Sequence, residues 1–164
     1  MIAILPAVSK SDFKTISQLA QIIWKEHYYP ITGKAHINYM LEKFQSVQAI
    51  EDQINTGMAY FILMYKCTPV GYTAFKLEKN DLFLSKLYVL KSYRGKQIGK
   101  TAMGFVEKKA KASKLKVIRL TVNVNNTNSI RAYKKMGFKN QGALLTDIGE
   151  GFVMDDHEMV KVLF

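Results

Sequence analysis

LSKLYVLKSYRGKQIGKTAMGFVEKKAKASKLKVIRLTV, residues 84–122, decides the fold, because its hydrophobic period changes twice. LSKLYVL reads as a strand that runs into the short basic loop YRGKQIGK. From Ile98 to Ser113 the apolar residues Ile98, Ala102, Phe105, Val106 and Ala110 recur at helical spacing. Ile118, Leu120, Val122 and Val124 then alternate with Arg119, Thr121 and Asn123, which is strand period. A helix between two strands carries the chain back to the same end of the sheet, so at least one strand pair is parallel.

Working outward, AYFILMY (59–65) is an apolar run short enough for a buried strand. KCTPVG turns it into VGYTAFKL, and KND separates that from LFLSKLYVL, so three strands form an antiparallel meander. Residues 1–8 read as a first strand. Ser11 is placed to cap a helix whose face holds Ile16, Leu19, Ala20, Ile23 and His27, and YYPITG is expected to break it through Pro30 and Gly33. Two short amphipathic helices follow, one marked by Ile37, Met40, Leu41 and Phe44, the other by Val47, Ile50 and Ile54 with Ser46 as cap. Beyond residue 124, a helix from about Asn128 to Met136 stops at Gly137, and strands at 138–147 and 152–163 close the chain. The class is α/β, with a mixed, mostly antiparallel sheet in a single domain over residues 1–164.

Hydrophobic residues at 48% and charged residues at 23% suit a globular protein. No apolar run approaches the roughly 20 residues that cross a bilayer. The start, MIAILPAVSKSDF, lacks the pattern of a signal peptide, so a cytoplasmic location without membrane partners is expected. Cys67 is the only cysteine, which excludes an intrachain disulfide and a cysteine-based metal cluster. The net charge of +11 is regional. Residues 86–119 hold eleven Lys and Arg against Glu107 alone, a local +10, so the rest of the chain sums to +1. Such a patch attracts polyanions, although Lys108, Lys109, Lys111 and Lys114 also fit a solvated helix face. From Asp147 to Glu158 the bias reverses, with five acids and no Lys or Arg.

The basic loop is a phosphate cradle by its chemistry. Gly95, Gly99, Lys100 and Thr101 spell G-x-x-x-G-K-T, one residue short of the nucleotide-triphosphatase loop, and no strand ending in aspartate follows to hold magnesium. What fits is a diphosphate at a helix start. Backbone N–H groups at Lys96, Gln97, Ile98 and Gly99 would meet it, with Arg94, Lys96 and Lys100 supplying charge. Gln97 stands where such loops often carry glycine, and helical dihedrals there would make its side chain tolerable.

Strand LYV, then YRGKQIGK, then NVNNTNSIRAYKKMGF resembles the GNAT superfamily of acetyl-CoA-dependent N-acetyltransferases. Its loop Q/R-x-x-G-x-G/A is matched by Arg94 and Gly99, with Gln97 departing at the first family glycine. Its second signature is matched by Asn126, Ser129, Tyr133, Lys135, Gly137 and Phe138. Within it, EHYYPITGKAHINYML and DIGEGFVMDDHEM look like PaiA-type members, which are associated with polyamine acetylation. The resemblance implies a three-layer sandwich with the parallel pair at the cofactor site. It also implies acetyl-CoA as cofactor, no metal, and direct acyl transfer to a small-molecule amine, and it allows a homodimer.

That chemistry makes three demands. The thioester carbonyl must be polarised, for which the resemblance implies the Leu87 N–H, with Tyr88 and Val89 along the pantetheine. The cofactor-binding set it implies continues through Arg94, Gly95, Lys96, Gln97, Ile98, Gly99, Lys100, Asn126, Ser129, Tyr133 and Lys135. The leaving thiolate must be protonated, which the motif assigns to Tyr133, a phenol whose ordinary pKa is about 10. Without the motif, Asn126 reads as a helix cap and Lys135 as an exposed lysine. Finally, the attacking amine must be neutral. Glu26 and His27, ending the first helix beside YYPITG, are candidate bases, although His27 also falls on the apolar face. Lys86 sits where a carboxylate would be convenient, which counts against a base there. Asp155, Asp156 and Glu158 are candidates to hold a cationic acceptor in a protein whose overall charge repels one.

Two other readings compete. The acceptor could be a protein amino group, or the basic patch could bind nucleic acid. The aromatics near the patch (Tyr88, Tyr93, Phe105) form no legible stacking platform, so nucleic acid is not the expected partner.

Overall fold

A computed structural model describes all 164 residues. Seven strands and five α-helices follow the expected order: β1 (Ile2–Pro6), α1 (Lys10–Thr32), α2 (Lys34–Gln45), α3 (Val47–Asn55), β2 (Met58–Tyr65), β3 (Thr68–Leu77), β4 (Leu82–Val89), α4 (Ile98–Ala112), β5 (Val117–Asn123), α5 (Thr127–Lys135), β6 (Lys139–Gly149) and β7 (Phe152–Val162). The strand order is β1-β2-β3-β4-β5-β7-β6. β4 and β5 are parallel, with Leu82 opposite Ile118 and Leu84 opposite Leu120. The α/β class and the parallel pair are therefore as the 84–122 crossover predicts.

The chain divides into two compact units, Met1–Lys76 with Ser85–Val106, and Leu77–Leu84 with Glu107–Phe164. In the first, β1, β2 and β3 are antiparallel neighbours. One face of these strands offers Tyr60, Ile62, Tyr72 and Ala74 to Ile16, Ala20, Ile23, Trp24, Ile37, Leu41 and Ile50 of the three N-terminal helices. The other offers Leu63 and Val70 to Ile98 and Ala102 of α4. Strand alternation, with helices on both faces, gives this unit three layers. Gln45 and Tyr72, both fully buried, avoid a desolvation penalty by pairing with each other, and Gln45 Nε2 also donates to the Tyr60 hydroxyl at 3.0 Å.

Two details of α1 differ from the sequence reading. Ser9, not Ser11, caps the helix. Its hydroxyl accepts from Asp12 N at 3.2 Å, while the Asp12 carboxylate accepts from Val8 N and Ser9 N at 2.9 and 3.1 Å, closing a capping box. Those backbone donors hold the Asp12 carboxyl below its ordinary pKa. Pro30 does not break the helix either; α1 runs on to Thr32. Proline removes one hydrogen bond there, but Thr32 Oγ1 donates to Tyr28 O and Gly33 N donates to Tyr29 O at 3.1 Å, so the last turn still closes. Gly33, at φ +89°, ends it.

In the second unit, β7 lies antiparallel to both β5 and β6. Glu150 and Gly151, both at positive φ, make the tight turn of the β6–β7 hairpin. Lys161 of β7 pairs with Glu107.

Candidate active site

From Ser85 onward, β4 belongs to the first unit. Leu87 and Val89 point to the α4 face, where they pack with Ile98 and Ala102. Tyr88, one residue out of phase, points to α1, with its ring 5.6 Å from Trp24, 6.3 Å from Tyr28 and 5.6 Å from Tyr72. The hydroxyls of Tyr28 and Tyr88 meet at 3.3 Å. β3 fixes this strand from the side. Thr73 Oγ1 donates to Lys86 O at 2.7 Å, and Leu90 N donates to Val70 O at 2.8 Å. The backbones approach closely at Gly71, where a Cβ would overlap the Tyr88 carbonyl oxygen and stand 3.1 Å from Val89 Cα. The family signatures do not include Gly71; its signal in the sequence is a glycine inside an apolar strand.

From β4 the chain makes one 3-10 turn, Lys91–Tyr93, and enters the loop. Arg94, Gly95, Lys96, Gln97 and Lys100 are exposed, while Ile98 is buried and anchors the start of α4. Arg94 Nε reaches back to Val89 O at 3.4 Å. Gln97 O accepts both Thr101 N at 3.0 Å and Thr101 Oγ1 at 2.8 Å, which fixes the first turn. The helix therefore begins with its first N–H groups turned toward the exposed loop at the positive end of its dipole. A Cβ built at Gly95 or Gly99 meets no atom within 4 Å. Open space, unpaired helix-start donors and three cations suit a diphosphate.

One expectation about the loop is overturned. Gln97 does not adopt helical dihedrals; its φ is +67°, in the left-handed region that glycine occupies without cost. The departure from the glycine pattern is thus a strained residue. Gln97→Gly should raise stability by about 1 kcal/mol and leave CoA affinity intact. Gly99→Val should leave the fold intact, because its Cβ meets no protein atom, yet weaken CoA binding about tenfold by filling ligand space. Thermal melts and titration calorimetry read both, and equal losses of affinity would mean that the loop does not face the ligand.

Near the end of α1, Glu26 is exposed and His27 is partly buried, its ring 4.7 Å from that of Tyr28. His27 is thus at the edge of the aromatic cluster and not in the core stripe.

The second unit holds the other named residues. Asn126 is buried and caps α5, its Oδ1 accepting Ser129 N at 3.4 Å, so the helix-cap reading of Asn126 holds. Tyr133 is partly buried and packs edge-on against Phe138 at 5.6 Å, while Lys135 is exposed. On β7, Asp155 is exposed, Asp156 is buried, and Glu158 lies 3.9 Å from Arg119. Arg119 also binds Glu78 at 2.7 Å and Asp81 at 3.3 Å.

Burial pushes the Asp156 carboxyl up to about 6; the Asp155 charge adds to this, and His157 and the Thr121 hydroxyl oppose it. A carboxyl raised in the folded state costs nothing below its unfolded pKa of 3.8, and the cost grows as pH rises through about 6. Asp156→Asn should therefore stabilise the protein by about 2 kcal/mol at pH 8 and scarcely at all at pH 3.5. Denaturant unfolding at the two pH values checks this.

No group of His, Cys, Asp and Glu is arranged to hold a metal ion, and no helix is long and apolar enough to cross a membrane.

Comparison with known proteins agrees with this fold. The model of the acetyltransferase (GNAT) family matches residues 16–138. The spermidine N(1)-acetyltransferase of Thermoplasma acidophilum is 28% identical over 153 residues, covering 90% of this chain and 92% of that protein. The crystal structure of the PaiA N-acetyltransferase of Thermoplasma acidophilum, in complex with coenzyme A, superposes with a TM-score of 0.80 at 26% identity, covering 99% of each chain. A GCN5-related N-acetyltransferase from Rhodopseudomonas palustris shares the fold, with a TM-score of 0.83 at 17% identity over 98% of this chain and 95% of its own.

Proposed function

The chain belongs to the acetyltransferase (GNAT) family, and on that premise we propose that it moves the acetyl group of acetyl-CoA directly to a primary amine within a ternary complex, with a small cationic amine such as a polyamine as acceptor. The observation that carries the acceptor class is the near full-length similarity to a spermidine N(1)-acetyltransferase. The whole of residues 1–164 acts as one acetyltransferase domain in this reading.

Acetyl-CoA supplies an acyl group activated as a thioester. The residues of the chain then divide the work. Arg94, Lys96 and Lys100, with the N–H groups of Gly95 to Gly99, hold the diphosphate. The Leu87 N–H takes the growing negative charge on the acetyl oxygen, and Val89 pairs with the pantetheine amides as an added strand would. A backbone donor already fixed in a strand needs little reorganisation when charge develops. Asn126, Ser129 and Lys135 lie along the cofactor. The amine forms its bond to the acetyl carbon as the carbon–sulfur bond breaks, Tyr133 gives its proton to the departing sulfur, and the proton the nitrogen sheds restores Tyr133 through solvent. Asp155 and Asp156 attract the acceptor's charge, with Glu158 beside them.

The test is thiol release from acetyl-CoA against spermidine, spermine, diamines, aminoglycosides, amino acids and lysine peptides, with acetylated products identified by mass. Polyamines should give the highest kcat/KM; turnover confined to peptides would replace the acceptor and keep the reaction. Neutralising Asp155, Asp156 and Glu158 together should raise KM for spermidine, and an unchanged KM would remove them from the acceptor site.

A further inference from the structure

Resting on the proposed transfer, one requirement has no device assigned to it: the Leu87 N–H must stay aimed at the acetyl oxygen. The strand that carries it is lightly held. The parallel pairing of β4 with β5 covers Leu82 to Leu84, and every residue from Ser85 to Val89 is partly exposed. Within Leu87–Val89, Tyr88 is the side chain that packs into the core of the N-terminal helices. We propose that Gln45 is a positioning residue for the transfer: acting through Tyr72, it fixes the ring of Tyr88 and so the direction of the Leu87 and Val89 N–H groups on either side.

The contacts form one directional chain. Tyr72 Oη donates to Gln45 Oε1 at 2.5 Å, Gln45 Nε2 donates to Tyr60 Oη at 3.0 Å, and Tyr60 Oη donates to Gln53 Oε1 at 2.6 Å. Both side-chain amides also donate to Phe44 O, at 2.5 Å from Gln45 and 2.8 Å from Gln53. No side-chain nitrogen or oxygen of these four residues is buried without a partner. The rings carry the chain on to the strand. Tyr60 stacks on Tyr72 at 6.4 Å and 19°, and Tyr72 meets Tyr88 at 5.6 Å and 50°. From the other side, the Tyr28 hydroxyl lies 3.3 Å from that of Tyr88. Tyr88 is thus clasped between a residue of α1 and a ring that cannot turn without breaking its bond to Gln45.

Stability gives little reason for such a chain. A hydrogen-bonded pair in a core is close to neutral against apolar groups of the same shape, and removing one partner leaves the other unpaired. What a complete network adds is a fixed orientation for each ring. Gln45 is 0% exposed and continues the buried stripe of Ile37 and Leu41 at a spacing of four, where an apolar residue is the ordinary choice. A glutamine at that position is the network's signal in the sequence.

Gln45→Leu combined with Tyr72→Phe removes both partners of the first bond and leaves Tyr60 Oη bonded to Gln53, so the double variant should melt within a few degrees of wild type. Its kcat with spermidine should fall about tenfold, as for a transition-state donor that is misaimed and not lost. CoA affinity by calorimetry and KM for spermidine should stay the same. The ratio of its kcat to that of wild type should be flat with pH, because burial holds the Tyr60 phenol at about 12 and the Tyr72 phenol well above 10. A second measurement needs no turnover. In ¹⁵N–¹H NMR spectra the Leu87, Tyr88 and Val89 amides should shift in the double variant, although Gln45 lies on α2. Tyr72→Phe alone keeps the ring and should shift the same amides, which preserves the test if the double variant does not fold. Ile50→Val is the control. It trims a fully buried residue of α3 outside the chain, so the melting temperature should fall while kcat and the three amides stay. Wild-type kcat in the double variant, unmoved β4 amides, or an equal loss of kcat in Ile50→Val would each overturn the proposal. Wild-type enzyme that binds CoA but acetylates no amine would contradict the transfer itself, and the amide shifts would still decide whether Gln45 sets β4.

Discussion

Gly71→Ala should cost about 3 kcal/mol of stability and most of the CoA affinity, a larger effect than a methyl group added at Gly99, Gly104 or Gly137. The added Cβ would overlap the Tyr88 carbonyl oxygen and press on Val89 Cα, and both are backbone, which cannot swing aside as a side chain can. Overpacking against fixed atoms costs about 1–3 kcal/mol, and here it falls at the upper end because two strands must part. The displaced segment is Tyr88–Val89, next to Leu87, so the error would pass to the thioester and pantetheine contacts proposed for this strand. Gly104→Ala is the control. Its Cβ meets nothing within 4 Å in the middle of α4, and replacing a helical glycine gains up to about 1 kcal/mol. Equal stabilities for the two variants in urea would refute the close approach of β3 to β4.

The second large effect belongs to Tyr133. Tyr133→Phe keeps the ring and its edge-on packing against Phe138 at 5.6 Å, so the fold and the KM for acetyl-CoA should change little. What goes is the proton for the leaving sulfur, and general-acid catalysis is worth about 10²–10⁴-fold. The expected result is a fall of about 10²-fold in kcat with spermidine and no gain in stability that could account for it. Full turnover at every pH would remove Tyr133 from the mechanism.

These two predictions have different origins, which shows what the chain discloses by itself. The role proposed for Tyr133 comes from the sequence alone, through a spaced signature, N-x-x-S-x-x-x-Y-x-K-x-G-F. The strand–helix–strand period of 84–122 likewise yields the parallel β4–β5 pair, because two changes of period and one crossover leave little choice of topology. Gly71 is not legible in this way. Its need for glycine comes from the Tyr88 carbonyl, distant along the chain, and nothing local announces that neighbour. Caps shift for a related reason. Ser9 and Ser11 are both acceptable N-caps by type, and Asp12, at the third helical position from Ser9, decides between them through a reciprocal bond. Pro30 misleads because proline's cost falls where the helix is already ending. Gln97 misleads because backbone dihedrals are a property of the whole turn and not of the residue type. Charge was the least legible quantity. Sequence gives Lys86, Asp156 and Glu158 full formal charges, whereas burial moves Lys86 down and Asp156 up, and Arg119 stands 3.9 Å from Glu158.

Direct transfer from acetyl-CoA to an amine held beside it is the central proposal, and initial-rate kinetics test it most directly. Thiol release is measured while acetyl-CoA and spermidine are varied together. Double-reciprocal lines that intersect are predicted, because both substrates must be bound before the acetyl group moves. Parallel lines, which signal an acetyl-enzyme formed before the amine arrives, or the absence of amine-dependent thiol release, would contradict it.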